Sequence, residues 1–136
     1  MILTGFKNRA AISAIFATAV GVLAVTICPV AHSTDEESWG AIAVSQDAQH
    51  VGVSKNSPNE LSANELANFY CNSPTCNTMI SFKYPECGAV VMTEDQFYRD
   101  LGSSQHEAEQ NAINQSPKVT TRVVRSQCAE APYGRR

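Results

Sequence analysis

The segment Trp39–Val44 reads WGAIAV, and the segment Cys87–Met92 reads CGAVVM. Each is followed by a polar turn, a helix-start signal and a short apolar strand. Self-similarity at a fixed offset indicates repeated architecture. The sequence therefore predicts an α+β fold, in which two β-β-α-β repeats at about residues 39–84 and 87–128 form one small disulfide-stabilised domain.

In the first repeat, residues 40–44 and 50–54 predict a hairpin around the polar turn 46–49. Capping-box patterns at residues 57–60 and 62–65 offer two alternative starts for the following helix. Asn72 and Pro74 predict its end near Cys71, and residues 78–82 predict the third strand. An apolar stripe at helical spacing is expected to lie on the sheet: Ala63, Leu66, Ala67 and Tyr70.

The second repeat predicts strands at residues 88–92, 97–101 and 119–126. A capping box at residues 104–107 begins its helix, Ala108 and Ala112 form a narrow apolar face, and Pro117 ends it.

The repeat also predicts the disulfides. In a β-β-α-β unit the third strand runs antiparallel to the first, so its end meets the start of the first strand. These positions hold Cys87 and Cys128 in the second repeat, and Trp39 and Tyr84 in the first if Ile80 is aligned with Val124. Four cysteines allow three pairings. We expect an aromatic pair in the first repeat, the bond Cys87–Cys128 in the second, and the bond Cys71–Cys76.

Residues 1–33 are predicted to be a signal peptide. Residues 1–9 contain Lys7 and Arg9 without an acid, residues 10–25 are apolar or small, and residues 31–33 supply a small-residue cleavage site. The alternative is an uncleaved membrane anchor at residues 10–30. A lipid anchor on Cys28 is disfavoured because Ile27 is branched. Residues 34–136 are then expected to form a single domain.

The charge of the chain restricts its partners. The chain has 10 Lys and Arg against 13 Asp and Glu, and residues 1–33 hold two of the basic residues and no acid. The remainder therefore has eight basic and 13 acidic residues, a net charge of −5. This sign argues against nucleic acid, which rewards basic surfaces, and against membrane association after signal cleavage.

Five features carry a family resemblance: the WGAIA start at Trp39, the close pair Cys71 and Cys76, the CGAV stretch at Cys87, the lone Cys128, and the predicted signal peptide. They resemble the exported family catalogued as domain of unknown function 4189, of which mycobacteria and their relatives carry many members. The resemblance covers about residues 38–128. The chain departs from the usual pattern at Asn72 and at residues 97–101, where members carry glycine. The resemblance implies export, and in some members contact with a host, but no reaction and no catalytic residues.

No catalytic, metal or cofactor site is predicted. Zinc ribbons favour paired Cys-x2-Cys motifs, whereas this chain has one close pair at a spacing of five, and disulfides are usual in an oxidising compartment. His50 and His106 follow the predicted signal peptide, and a general base needs an orienting partner. Glu107 is adjacent to His106, but adjacent helix residues point apart.

Three aromatic residues are weighed as anchors for a partner. We expect Trp39 to lie in the core. Phe97 and Tyr98 are adjacent in a strand and must face opposite sides, so one of them is expected to be exposed.

The sequence thus predicts a secreted or cell-envelope protein that is not an enzyme and binds another protein outside the cytoplasm. A small envelope hydrolase using His106, and a structural envelope component, are the alternatives.

We expect the exported form to begin near Thr34, because signal peptidase reads the small residues Ala31 and Ser33. N-terminal sequencing of the exported protein checks this expectation. Recovery of Met1 would show that the segment is retained.

Overall fold

The computed structural model describes residues 37–117 and 120–133. The signal-peptide prediction falls on residues 1–33, outside these ranges. The described part contains these elements in chain order: β1 (Trp39–Val44), β2 (Val51–Ser57), α1 (Glu60–Cys71), β3 (Asn77–Lys83), β4 (Cys87–Met92), β5 (Phe97–Gly102), α2 (Gln105–Gln115) and β6 (Arg122–Cys128). None of the helices within it is long and apolar enough to cross a membrane.

The strands form two three-stranded sheets, with the orders β2-β1-β3 and β5-β4-β6. In each sheet the first strand of the unit is central and antiparallel to both neighbours. The second and third strands of each unit are therefore parallel to each other, and one helix connects them. The predicted α+β fold with two β-β-α-β units is confirmed.

The helix ends follow local hydrogen bonding. The N-cap of α1 is Asn59, whose Oδ1 accepts from the N–H of Ser62 at 2.8 Å. Both predicted starts are wrong, because Ser57 still belongs to β2, opposite Trp39. The predicted end is confirmed: Asn72 has φ 53° and its N–H donates to the carbonyl of Asn68.

The predicted start of α2 is confirmed. The hydroxyl of Ser104 accepts from the N–H of Glu107 at 3.1 Å, and the Glu107 carboxylate accepts from the N–H of Ser103 at 2.9 Å. The helix ends at Gln115, two residues before Pro117.

The domain has four layers, because successive strand residues face opposite sides. In β1, Ala41 and Ala43 pack against α1, whereas Ile42 and Val44 face the other sheet. In β4, Ala89 and Val91 pack against α2, whereas Val90 joins the core between the sheets. The layers are thus helix, sheet, sheet and helix.

Phe82 lies at the centre of this core and is 1% exposed. Its ring occupies the space that a side chain on either central strand would need. A Cβ on Gly40 would lie 2.5 Å from the ring, and a Cβ on Gly88 would lie 2.6 Å from it. The Gly-Ala pair shared by the two repeats therefore has a packing reason: each glycine accommodates the same ring.

The helices also approach their sheets closely. A Cβ on Gly52 would lie 2.0 Å from the carbonyl oxygen of Ala67, so only small side chains fit beneath α1. Its buried residues are Ala63, Ala67 and Cys71. The prediction that Leu66 and Tyr70 lie on the sheet is wrong, because the close approach turns these larger side chains outward.

The structure also corrects the predicted partner of Trp39 in the third strand of the first unit. Trp39 stands opposite Lys83, not Tyr84, so the expected aromatic pair is absent. The predicted alignment was shifted by one residue, because Ile80 pairs with Ile42 as Arg125 pairs with Val90. Each unit has a bulge just after that pair, between Ile42 and Ala43 and between Val90 and Val91.

A charged contact takes the place of the aromatic pair. The Lys83 Nζ lies 5.9 Å from the centroid of the Trp39 ring. The Glu37 carboxylate accepts from Trp39 Nε1 at 2.9 Å and pairs with Lys83 Nζ at 3.2 Å. The hydrogen bonds from Trp39 and Lys83 hold the pKa of Glu37 below its ordinary value.

Both predicted disulfides are present. Cys71 is bonded to Cys76 across the turn that follows α1. Cys87 is bonded to Cys128, its partner in the sheet.

We expect Gly88→Ala to destabilise the domain by about 1–3 kcal/mol, because the added methyl group must displace the Phe82 ring. Urea unfolding measures this cost. In a Phe82→Leu background the same substitution should cost less, since the shorter side chain leaves room. If the losses in free energy of unfolding from the two substitutions simply add in the double variant, the Phe82 ring is not the reason that glycine is needed at position 88.

We expect Cys128→Ser to destabilise the domain more than Cys76→Ser does. The loops closed span 41 and 5 residues, which predicts a difference of about 2 kcal/mol from loop entropy. Urea unfolding of the two variants gives the ranking, and peptide mapping without reduction checks the pairing. A larger loss for Cys76→Ser would contradict the expectation.

Candidate functional site

The outer face of α1 is unusually apolar for a solvent-facing surface. Because the small residues of this helix face the sheet, its large ones face outward. Four of them form what we call the α1 apolar face: Leu61 (67% exposed), Leu66 (38%), Phe69 (73%) and Tyr70 (56%). The rings of Phe69 and Tyr70 meet edge to face, with centroids 5.7 Å apart.

A groove runs between this face and the end of β2. Leu66 and Phe69 form its apolar wall, and Ser62 and Glu65 contribute polar groups from the same helix. Residues 56–58 line the opposite side. The groove thus has an apolar wall with a rim of hydroxyl, amide and carboxylate groups.

The equivalent helix of the second unit has a different surface. α2 buries Ala108 and Ala112 against its sheet, just as α1 buries small residues. Its exposed positions carry polar side chains, among them His106, Gln110 and Asn114. No large apolar side chain of α2 is exposed. The same fold therefore supports a polar outer helix, and the α1 apolar face is not required by the architecture.

The α1 apolar face has a negative electrostatic environment. The helix contains Glu60 and Glu65 but no Lys or Arg. Glu60 accepts a hydrogen bond from the Ser81 hydroxyl at 2.5 Å. Over residues 37–117 and 120–133 the ion pairs are Lys55–Glu130 and Lys83–Glu37. Glu65 is in neither and borders the groove without a cationic partner.

The C-terminal end of α1 makes this electrostatic environment more negative. The last carbonyl groups of a helix carry partial negative charge, which basic residues in the last turn usually offset. α1 has no basic residue there. Phe69 and Tyr70 therefore lie between the Glu65 carboxylate and the negative end of the helix.

The structure does not bring the two histidines into a site. His50 is exposed beside the β1–β2 turn, where its backbone N–H donates to the Ser45 hydroxyl at 3.0 Å. His106 is exposed on α2, and its imidazole forms no hydrogen bond within the described ranges. Glu107 beside it caps the helix. In the same ranges no three His, Cys, Asp or Glu side chains are grouped to hold a metal ion.

The three aromatic residues that were weighed as anchors lie outside the α1 apolar face. Trp39 is half-buried and packs against the cluster under α1. Phe97 packs into the core between the sheets and Tyr98 packs against the α2 cluster. They face opposite sides as expected. The expectation that one of them is exposed is wrong, because both are half-buried.

The exposed aromatic side chains of the described ranges are instead Phe69, Tyr70, Tyr84 and Tyr133, of which the first two lie on α1. The sequence contains a signal that Phe69 and Tyr70 face solvent. Ala63, Ala67 and Cys71 form a stripe at i, i+4 and i+8, and this stripe competes with the one containing Tyr70 for the side that faces the sheet. Gly52 in the neighbouring strand favours the stripe of small residues.

Comparison with known proteins assigns the chain to a family. The family model described as "Domain of unknown function (DUF4189)" matches residues 39–128, from the start of β1 to the end of β6. The chain belongs to this DUF4189 family. The predicted resemblance is thereby confirmed at the level of the family. None of the curated proteins matches the chain.

One solved structure supports the fold. The NMR structure of Rv1813c from Mycobacterium tuberculosis matches this DUF4189 protein with a TM-score of 0.52 and 22% sequence identity. The match covers 76% of this chain and 84% of the other. At this identity the likeness concerns the fold alone.

Proposed function

We propose that this DUF4189 protein is exported, is not an enzyme, and binds another protein outside the cytoplasm through the α1 apolar face. The observation that carries the proposal is the difference between the two helices. Both occupy the same place in equivalent units, yet only α1 exposes large apolar side chains. Contiguous exposed apolar patches commonly mark interaction sites, and rigid aromatic side chains are frequent anchors in interfaces.

Export is supported by the cysteines and by the N-terminal sequence. All four cysteines of the region from residue 37 to residue 133 are joined in disulfides, and such bonds persist in oxidising compartments. The predicted signal peptide agrees with this location, as does the resemblance to exported mycobacterial proteins. We therefore propose a secreted or envelope location.

The absence of an oriented histidine supports a role without catalysis. A general base needs a partner that orients it and a position facing a substrate. The exposed His106 has no hydrogen-bonding partner in the described part of the chain, so the hydrolase alternative has no observation in its favour.

We expect a photoreactive p-benzoylphenylalanine in place of Phe69 to crosslink the mature protein to one partner in culture filtrate or envelope extract. The same group in place of Asn114, the matched position on α2, should not. Unlabelled mature protein should compete for the crosslink, and the Phe69→Ser variant should compete at least tenfold less well. Mass spectrometry identifies the product.

The variant should keep its thermal midpoint, because Phe69 is largely exposed and contributes little to the core. Equal crosslinking from both positions, or none from position 69, would contradict the proposal.

A further inference from the structure

We infer that the α1 apolar face accepts a segment in which an apolar side chain stands next to Lys or Arg. This inference rests on the proposed function and names the chemistry of the partner. Leu66 and Phe69 supply the apolar wall of the groove, and Glu65 supplies a carboxylate on its rim. A partner that buries this apolar wall must also place a group that pairs with the carboxylate, because an unpaired charge at an interface is unfavourable.

Three features favour a cation at this place. Glu65 has no cationic partner within residues 37–117 and 120–133. The last turn of α1 carries no basic residue to offset the helix dipole. The faces of Phe69 and Tyr70, both more than half exposed, attract Lys or Arg by cation–π interaction. The three attractions converge on the C-terminal half of one helix.

The same charges disfavour a symmetric dimer. Two copies of α1 packed by a two-fold axis would present the same patch to each other. Glu65 lies midway between Leu61 and Phe69 on the outward side of the helix, so the two Glu65 side chains would approach each other. Like charges in such contacts are unfavourable. A different, basic partner fits the face better than a symmetric second copy.

A head-to-tail copy is the closest competitor. Strand β6 lies at the edge of its sheet and carries the exposed residues Arg122, Val123 and Arg125. Contact between this edge and α1 of another copy would be a heterologous association, which builds rings or open chains of copies. Sedimentation of the mature protein over a wide concentration range distinguishes it. Assembly that Arg122→Glu abolishes would overturn the inference of a separate partner.

The probe for the partner chemistry is a phage-displayed library of random 12-residue peptides, selected on the mature protein. We expect enriched peptides to carry Leu or an aromatic residue within four positions of Lys or Arg. A synthetic copy of the most enriched peptide should bind the wild-type protein. Phe69→Ser should abolish this binding.

Charge is tested with two variants that change the net charge equally. Glu65→Gln should weaken the peptide about threefold to fivefold at low salt, and less at high salt because the pair is exposed to screening. Glu94→Gln, in the exposed β4–β5 turn, should leave its affinity unchanged.

The outcomes separate the two proposals. Peptides that need Phe69 but contain no basic residue, and that bind Glu65→Gln normally, would overturn the inference and leave the proposed function standing. Peptides indifferent to Phe69→Ser, or no enrichment at all, would count against both.

Discussion

The Phe82 ring is the contact on which the arrangement of the two sheets depends. It projects from β3 across the central strand of its own sheet and onto the central strand of the other. Gly40 and Gly88 lie beneath it, and a Cβ at either position would fall within 2.6 Å of the ring. Interiors pack too densely to absorb such an overlap without displacement. The ring therefore sets the separation of the sheets and explains why both repeats begin with Gly-Ala.

Close packing also determines which side chains of the two helices face solvent. Gly52 and Gly102 let the two helices approach within reach of the strand backbone, so the helix faces beneath are made of alanine and cysteine. The buried stripe of α1 consequently uses its smallest residues. Its larger apolar residues lie on the solvent side, where the packing of the domain does not need them. Helix α2 satisfies the same constraint with a polar outer face.

Much of this fold follows from the sequence, because strands, turns and caps depend on local patterns. The strand pairing and both disulfides could be derived from the repeat, and the Asn72 cap from the local sequence around it. The partner of Trp39 could not, because Ile80 corresponds to Arg125 and not to the apolar Val124 with which it was aligned, and no local pattern marks this difference of one residue. The α1 apolar face was missed for a related reason: two apolar stripes compete on this helix, and the close approach at Gly52 selects the one with small residues.

Family membership and the proposed function therefore rest on different residues. The features by which this sequence resembles the DUF4189 family are the glycine-alanine starts and the four cysteines, which lie in the framework of the two units and are mostly buried. Leu61, Phe69 and Glu65 contribute little to that framework, so they can vary among proteins that share the fold. A structural match of 22% identity concerns the fold and not the side chains on the outer face of α1. The proposed partner is therefore inferred from the surface chemistry of α1, since the fold supports either an apolar or a polar helix at that place.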